Sequence, residues 1–154
     1  MRRPTQLSIA LSLAALVSCL GPSGAAGDRA RTARVIYLNE SAHLHATSKH
    51  DLTLNEQGSA VGTVTATIYV HLTVVSSSRV TVEVNLYPSG GSISGSGTAS
   101  YQRGSQQASF AGSMSIRAAS GSYEHAHGPG LSFSGTIQRS NDAVTVHVSG
   151  RVSD

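Results

Sequence analysis

The chain has 154 residues, of which 39% are hydrophobic and only 12% are charged, and its formal net charge at pH 7 is +3. This length favours one domain over two. A single cysteine excludes an internal disulfide framework and a cysteine-rich zinc site. The hydrophobic share and the low charge also argue against a disordered chain, because disorder goes with low hydrophobicity and high net charge.

The first 26 residues have the features of a secretory signal peptide. Two arginines lie near the N-terminus, an uncharged apolar run covers residues 7–20, and the small residues Ser23-Gly24-Ala25 follow. The apolar run is too short for a membrane-spanning helix, which needs about 20 residues. We therefore expect cleavage near Ala25 or Ala26, a flexible leader over residues 27–34, and a secreted chain without a transmembrane span.

A lipid anchor at the cell surface is the alternative. Leu16-Val17-Ser18-Cys19 fits the lipobox of bacterial lipoproteins, in which the cysteine is acylated and becomes the mature N-terminus. Several acyl chains hold a protein firmly at a membrane, whereas one chain holds it only reversibly. The fate of Cys19 therefore distinguishes a free protein from an anchored one.

Most of the basic excess belongs to the signal peptide. Its removal reduces the number of lysines and arginines from 11 to 9, against 8 acidic residues, and leaves a net charge of +1. Nucleic-acid binding depends largely on neutralising phosphates with clustered basic side chains. The mature chain has no such basic stripe, so we expect no nucleic-acid partner.

From residue 35 onward, apolar and polar residues alternate with a period of two, which is typical of half-buried antiparallel strands. Ser48 to Ser59 is predicted to be the longest connection, with a short strand near Leu52 to Leu54. In chain order, the pattern predicts eight strands and no helix, at residues 36–46, 61–75, 79–87, 92–103, 106–117, 122–127, 131–139 and 143–152.

Evenly spaced strands with short links predict an all-β fold over residues 35–154, an eight-stranded antiparallel up-and-down barrel, with a β-sandwich as the alternative. The interior of an eight-stranded barrel is filled by side chains or holds one small ligand. Four glycines share the apolar parity and have two interpretations: they allow sharp bends, or they leave space for a ligand. These glycines are Gly95, Gly97, Gly112 and Gly135.

A family resemblance is carried by the segment that reads GSYEHAHGPGLSFSG, from Gly121 to Gly135. Together with Phe110-Ala111-Gly112, it resembles the repeated hairpins of the allene oxide cyclase and dirigent-like barrel superfamily. The resemblance implies an eight-stranded antiparallel barrel with a hydrophobic cavity, over residues 35–152, and no catalytic residues can be carried over from it. The chain also resembles uncharacterised secreted proteins of high-GC bacteria.

These features favour a secreted, non-enzymatic barrel that binds a small apolar ligand in its lumen or acts at the cell surface. The alternative is a cyclase- or isomerase-like enzyme in which Tyr123, His125 or His127 faces a cavity. No nucleophile elbow and no phosphate-binding loop supports an enzyme, and we predict no catalytic residue. The predicted ligand-binding residues are the aromatic and histidine side chains Tyr101, Phe110, Tyr123, His125, His127 and Phe133.

The histidines suggest a metal site on the outer face. His43 and His45 are two residues apart on a predicted strand, so their side chains lie on one side. His71 and His147 occupy polar faces of strands predicted to flank this one, which would bring four imidazoles together. Imidazole is a common ligand of Zn²⁺ and Cu²⁺. The alternative, which we prefer, is that they are ordinary solvent-facing histidines.

The signal-peptide prediction can be tested by mass spectrometry of the protein secreted by a bacterial host. We expect a mature chain that begins close to residue 27, because signal peptidase cleaves after small residues. Cys19→Ser should leave the secreted amount unchanged. A membrane-bound product that begins at an acylated Cys19, and that fails to mature in Cys19→Ser, would instead establish the lipoprotein alternative.

Overall fold

A computed structural model of the protein describes residues 35–153, which form one antiparallel sheet closed into a barrel. The predicted signal peptide, Cys19, the leader over residues 27–34, and Asp154 lie outside the described residues. The barrel consists of eight strands in chain order: β1 (Val35–His50), β2 (Thr53–Gly62), β3 (Ala66–Ser76), β4 (Arg79–Pro88), β5 (Gly91–Arg103), β6 (Gln107–Gly121), β7 (Leu131–Gln138) and β8 (Val144–Ser153).

Each strand pairs with its neighbour in the chain, and β1 pairs with β8 to close the sheet. The closing register runs from Val35 opposite Ser153 to Leu44 opposite Val144. The predicted up-and-down barrel is thus confirmed, and the β-sandwich alternative is wrong. The described part of the chain contains no helix of the length and apolarity needed to cross a membrane.

The number of strands is right only because two errors cancel: β2 was largely predicted as a loop, and the strand predicted at residues 122–127 is absent. Most of the predicted loop between Ser48 and Ser59 belongs to β2. Its alternation was hidden because two inward positions carry Glu56 and Gly58 rather than apolar side chains. The period-two pattern of β2 was therefore not recognised as a strand.

The predicted strand at residues 122–127 is a series of turns. The amide of Tyr123 donates to the Ser120 carbonyl at 3.2 Å, and the amide of Ala126 donates to the Tyr123 carbonyl at 2.8 Å. Only His127 pairs in the manner of a sheet, through an isolated bridge to Ser153. Short-range hydrogen bonds replace the cross-strand ladder here, so side-chain parity does not carry over from β6.

The middle of the barrel is filled by side chains. Phe133 has no exposed surface, and its ring stacks on Phe110 with the centroids 5.1 Å apart. Around this pair pack fully buried aliphatic side chains from several other strands, Ile68, Val70, Val82, Val84, Val144 and Val146. The lumen between the two ends is therefore a packed core.

The inward glycines make room for large neighbours on adjacent strands. A methyl group on Gly135 would collide with the Thr145 carbonyl and with the Phe110 ring, whose Cε2 lies 2.8 Å from its position. A methyl group on Gly95 would lie 2.5 Å from the terminal carbon of Met114 and 3.0 Å from the Ser115 carbonyl oxygen, a longer distance to the backbone than at Gly135. The glycines at these positions thus serve packing, and neither opens a ligand space.

The difference between these two glycines predicts unequal costs of substitution. Gly135→Ala should lower the free energy of unfolding by about 1–3 kcal/mol, because a stacked ring and a backbone carbonyl cannot move aside. Gly95→Ala should cost less, because the end of a methionine side chain adapts easily. Urea unfolding of both variants measures the difference, and equal losses would contradict this account of the core.

Candidate functional site

We call the end of the barrel formed by the β1–β2, β3–β4, β5–β6 and β7–β8 turns the mouth. A cavity of about 260 Å³ lies there, above the packed core. Six polar or charged residues line part of it, and the apolar part of its wall comes from six side chains that alternate with outward-facing residues on their strands: Leu54, Leu72, Val74, Val80, Ala108 and Ile137. An apolar wall open at one end is typical of a small-molecule pocket.

A strand extension forms one side of the mouth. β1 pairs with β8 only as far as Leu44, whereas its pairing with β2 continues to His50. Lys49, the only lysine in the chain, reaches across and donates to both carboxylate oxygens of Asp142, at 3.0 and 2.8 Å. This ion pair joins the β1–β2 hairpin to the β7–β8 turn beyond the last β1–β8 pair.

Two arginines form the other side. Arg103 ends β5 and Arg139 follows β7, and both line the cavity. Arg139 is held in place because its amide donates to the Gln106 carbonyl at 3.0 Å and its guanidinium donates to the Gly104 carbonyl at 3.1 Å. Among residues 35–153, neither guanidinium forms an ion pair with a carboxylate.

Glu56 is a buried carboxyl near the mouth. It is the next inward-facing residue on β2 after Leu54, which lines the cavity, and only 1% of its surface is exposed. Neither carboxyl oxygen has a hydrogen-bond partner in the described structure. Burial, with a contribution from the negative charge of Asp142, raises the pKa of Glu56 to about 7. Such a group is unusual in a structural core and marks a candidate functional position.

A second buried glutamate, Glu40, lies towards the opposite end of the barrel. Its Oε1 accepts a hydrogen bond of 2.7 Å from the Val64 amide, while its Oε2 has no partner in the described structure. Burial raises the pKa of Glu40, and the backbone hydrogen bonds of Val64 and Thr63 oppose that shift. Since it fastens the β2–β3 turn, Glu40 has a structural role that Glu56 lacks.

Sequence reasoning missed both glutamates. The signal for Glu40 was present, since it has the same parity as Leu38 and Ala42 on β1. The signal for Glu56 was lost because its segment was predicted to be a loop. A carboxylate at an inward-facing position of a barrel strand is the pattern that identifies such residues from sequence.

The predicted ligand-binding residues do not form one site. Tyr101 lines the mouth cavity, and Phe110 is buried one inward position beyond Ala108, stacked on Phe133. Tyr123 packs against the core from the turns that connect β6 to β7, at the other end of the barrel. Of the predicted set, only Tyr101 touches the cavity.

The two histidines of the same predicted set face solvent. His125 contacts the carboxylate of Glu124 at 3.2 Å, and its side chain is 60% exposed. His127 is exposed as well, and its Nδ1 lies 3.0 Å from the His125 carbonyl. The expectation that they line the lumen is wrong, because the turns after Gly121 reset the side-chain direction. The enzyme alternative loses the acid–base groups on which it depended.

The four-histidine patch is not assembled either. β2 lies between β1 and β3, so His71 is not on a strand adjacent to that of His43 and His45. His71 instead hydrogen-bonds to Asn55 of β2. His147 of β8 is the one histidine of the four on a strand next to β1.

One histidine of β1 and the histidine of β8 hydrogen-bond to hydroxyl groups on the neighbouring strand. His147 hydrogen-bonds to the Ser41 hydroxyl at 3.1 Å, and His43 to the Thr145 hydroxyl at 3.3 Å. Within residues 35–153, no group of three His, Cys, Asp or Glu side chains is arranged to hold a metal ion. The zinc or copper site therefore receives no support from the positions of these side chains.

Comparison of the chain with protein-family models, with curated proteins and with solved structures gives no match. The resemblance to the allene oxide cyclase and dirigent-like superfamily stays a prediction. Assignment of a function depends on the mouth itself, which combines an apolar wall, a tyrosine, an ion pair and two arginines.

The raised pKa of Glu56 predicts a pH dependence of stability. The folded state holds this proton more tightly than the unfolded chain, for which the ordinary pKa is 4.5. The contribution of Glu56 is therefore most favourable below pH 4.5, and stability is lost as the pH rises from there to about 7. Urea unfolding between pH 5 and 8 should show this decline in the wild type and a shallower one in Glu56→Gln.

The control is Glu83→Gln, which changes a glutamate on the solvent face of β4. This variant should keep the slope of the wild type. If Glu56→Gln has the same slope as the wild type, the carboxyl of Glu56 is not the buried titrating group.

Proposed function

We propose that this protein is a secreted, non-enzymatic barrel that binds a small, mainly apolar molecule in the cavity at its mouth. The observation that carries the proposal is the position of that cavity. The barrel is packed through its middle, yet its apolar wall remains open at one end, beside Tyr101.

The size of the cavity limits the ligand. Its volume of about 260 Å³ is slightly below the range of about 300–1,000 Å³ found for common ligand pockets. At roughly 30 Å³ for each water-sized group, it takes on the order of nine such groups. A short hydrocarbon chain or a single ring system has this size.

The composition of the wall supports an apolar body for the ligand. Burial of apolar surface stabilises a complex by roughly 25 cal/mol for each Å² removed from water. Tyr101 adds an aromatic surface with a hydroxyl group, a common combination where one end of a ligand is apolar and the other is wet. The exposed Leu52, at the tip of the β1–β2 hairpin, extends the apolar surface outward.

The sequence supports an extracytoplasmic location. A charged start, an apolar run and small residues precede the barrel, in the order that a secretory signal requires. A barrel without a cysteine in its described strands needs no disulfide in such a compartment, because closure of the sheet holds its ends together.

Binding of the neutral fluorescent probe 1-aminonaphthalene, a single ring system, tests the proposal. Its fluorescence rises in an apolar site, and we expect saturable binding to the mature barrel. Val74→Trp, which places a large ring in the cavity, should weaken binding by about tenfold or more, equivalent to about 1.4 kcal/mol.

The matched control is Val75→Trp. Val75 is the next residue of β3 but is 56% exposed, so its ring lies outside the cavity and binding should be unchanged. Equal losses in both variants, or no saturable binding to the wild type, would refute a ligand site at the mouth.

A further inference from the structure

The charges around the mouth are unevenly distributed. Lys49 and Asp142 neutralise each other in their ion pair, while Asp51, which also lines the cavity, is a negative charge that is 82% exposed to solvent. Arg103 and Arg139 remain as two positive charges without a carboxylate partner among residues 35–153. The mouth thus presents unneutralised positive charge at one edge of an apolar cavity.

Both arginines lie beside the β5–β6 turn. Arg103 directly precedes Gly104 in the β5–β6 turn, and the guanidinium of Arg139 donates to the Gly104 carbonyl at 3.1 Å. This contact uses one nitrogen of the Arg139 guanidinium, and the N–H donors of its other nitrogens are not used in it. Guanidinium groups match the geometry of a carboxylate, with two parallel N–H donors.

The opposite edge limits the charge of the ligand. Asp51, in the β1–β2 turn, lines the cavity without a lysine or arginine partner among residues 35–153, and Glu56 lies below the cavity wall with a carboxyl that has no hydrogen-bond partner in the described structure. Further negative charge placed near these carboxyls is repelled. A ligand with one negative charge at the arginine edge, and a neutral body elsewhere, meets both requirements.

We infer that the ligand of the mouth is a monoanionic amphiphile, a short hydrocarbon chain or ring that carries one carboxylate, with the carboxylate on Arg103 and Arg139. The inference rests on the proposed function, since it names the chemical class of molecule that the same cavity takes. The apolar body lies against Val74, Val80 and Ile137, and the anionic head stays at the solvent-accessible edge.

The experiment compares three competitors of equal chain length, octanoate, octan-1-ol and octylamine, in displacement of 1-aminonaphthalene at pH 8. We expect octanoate to displace the probe at about tenfold lower concentration than octan-1-ol, and octylamine to be the weakest. The advantage of octanoate should shrink as salt rises from about 0.01 to 1 M, because exposed charges are screened.

Arg103→Gln/Arg139→Gln tests the assignment of the two side chains. In this double variant, octanoate should fall to the level of octan-1-ol, while binding of the neutral probe should persist and show that the cavity is intact. The matched control is Arg117→Gln, which removes an arginine on the outer face that donates to the Ser96 hydroxyl at 2.9 Å. It should leave all three competitors unchanged.

The outcomes separate the two proposals. Failure of the probe to bind the wild type overturns the proposed function. Binding of the probe without a preference for octanoate, a preference for octylamine, or an octanoate preference that survives in Arg103→Gln/Arg139→Gln leaves the cavity in place and overturns the inference about the carboxylate.

Discussion

Backbone pairing between β1 and β8 closes the sheet, and the other features of the molecule depend on that closure. A closed sheet has no free edge, and it creates an interior with two ends. Alternation along each strand then sends apolar residues inward and Ser, Thr and His outward. The pairing stops at Leu44 and Val144, and β1 continues beyond it with β2 alone. The mouth begins where this pairing stops.

The interior of the barrel is filled in its middle and has a cavity towards the mouth. In the middle, glycines opposite large residues allow Phe110, Phe133 and Met114 to fill the space at close contact. Towards the mouth the inward residues are aliphatic apart from Tyr101, and a cavity remains. The cavity at the mouth is therefore confined to one end, in contrast to barrels that hold a ligand in the lumen.

The two buried glutamates illustrate how one residue type serves different purposes. Glu40 accepts a backbone amide and fixes a turn, so its burial is partly compensated. Glu56 receives no such compensation in the described structure, and burial, with a smaller contribution from the charge of Asp142, raises its pKa to about 7. A buried polar group without a hydrogen-bond partner destabilises the folded state, and Glu56 makes no hydrogen bond in the described structure that would offset this cost. That cost makes Glu56, rather than the exposed histidines, the notable titratable group.

The sequence alone determined the all-β class, the barrel and most strand positions, because period-two alternation is a local property that closure preserves. It could not place β2, where Glu56 and Gly58 hide the alternation, nor the turns after Gly121, where local hydrogen bonds displace the ladder. The sequence pattern placed His71 on a strand next to that of His43 because the intervening strand, β2, was not predicted. Which side chains meet at the mouth was decided only by tertiary structure, since register and strand order bring together Lys49, Asp142 and the two arginines from distant parts of the chain.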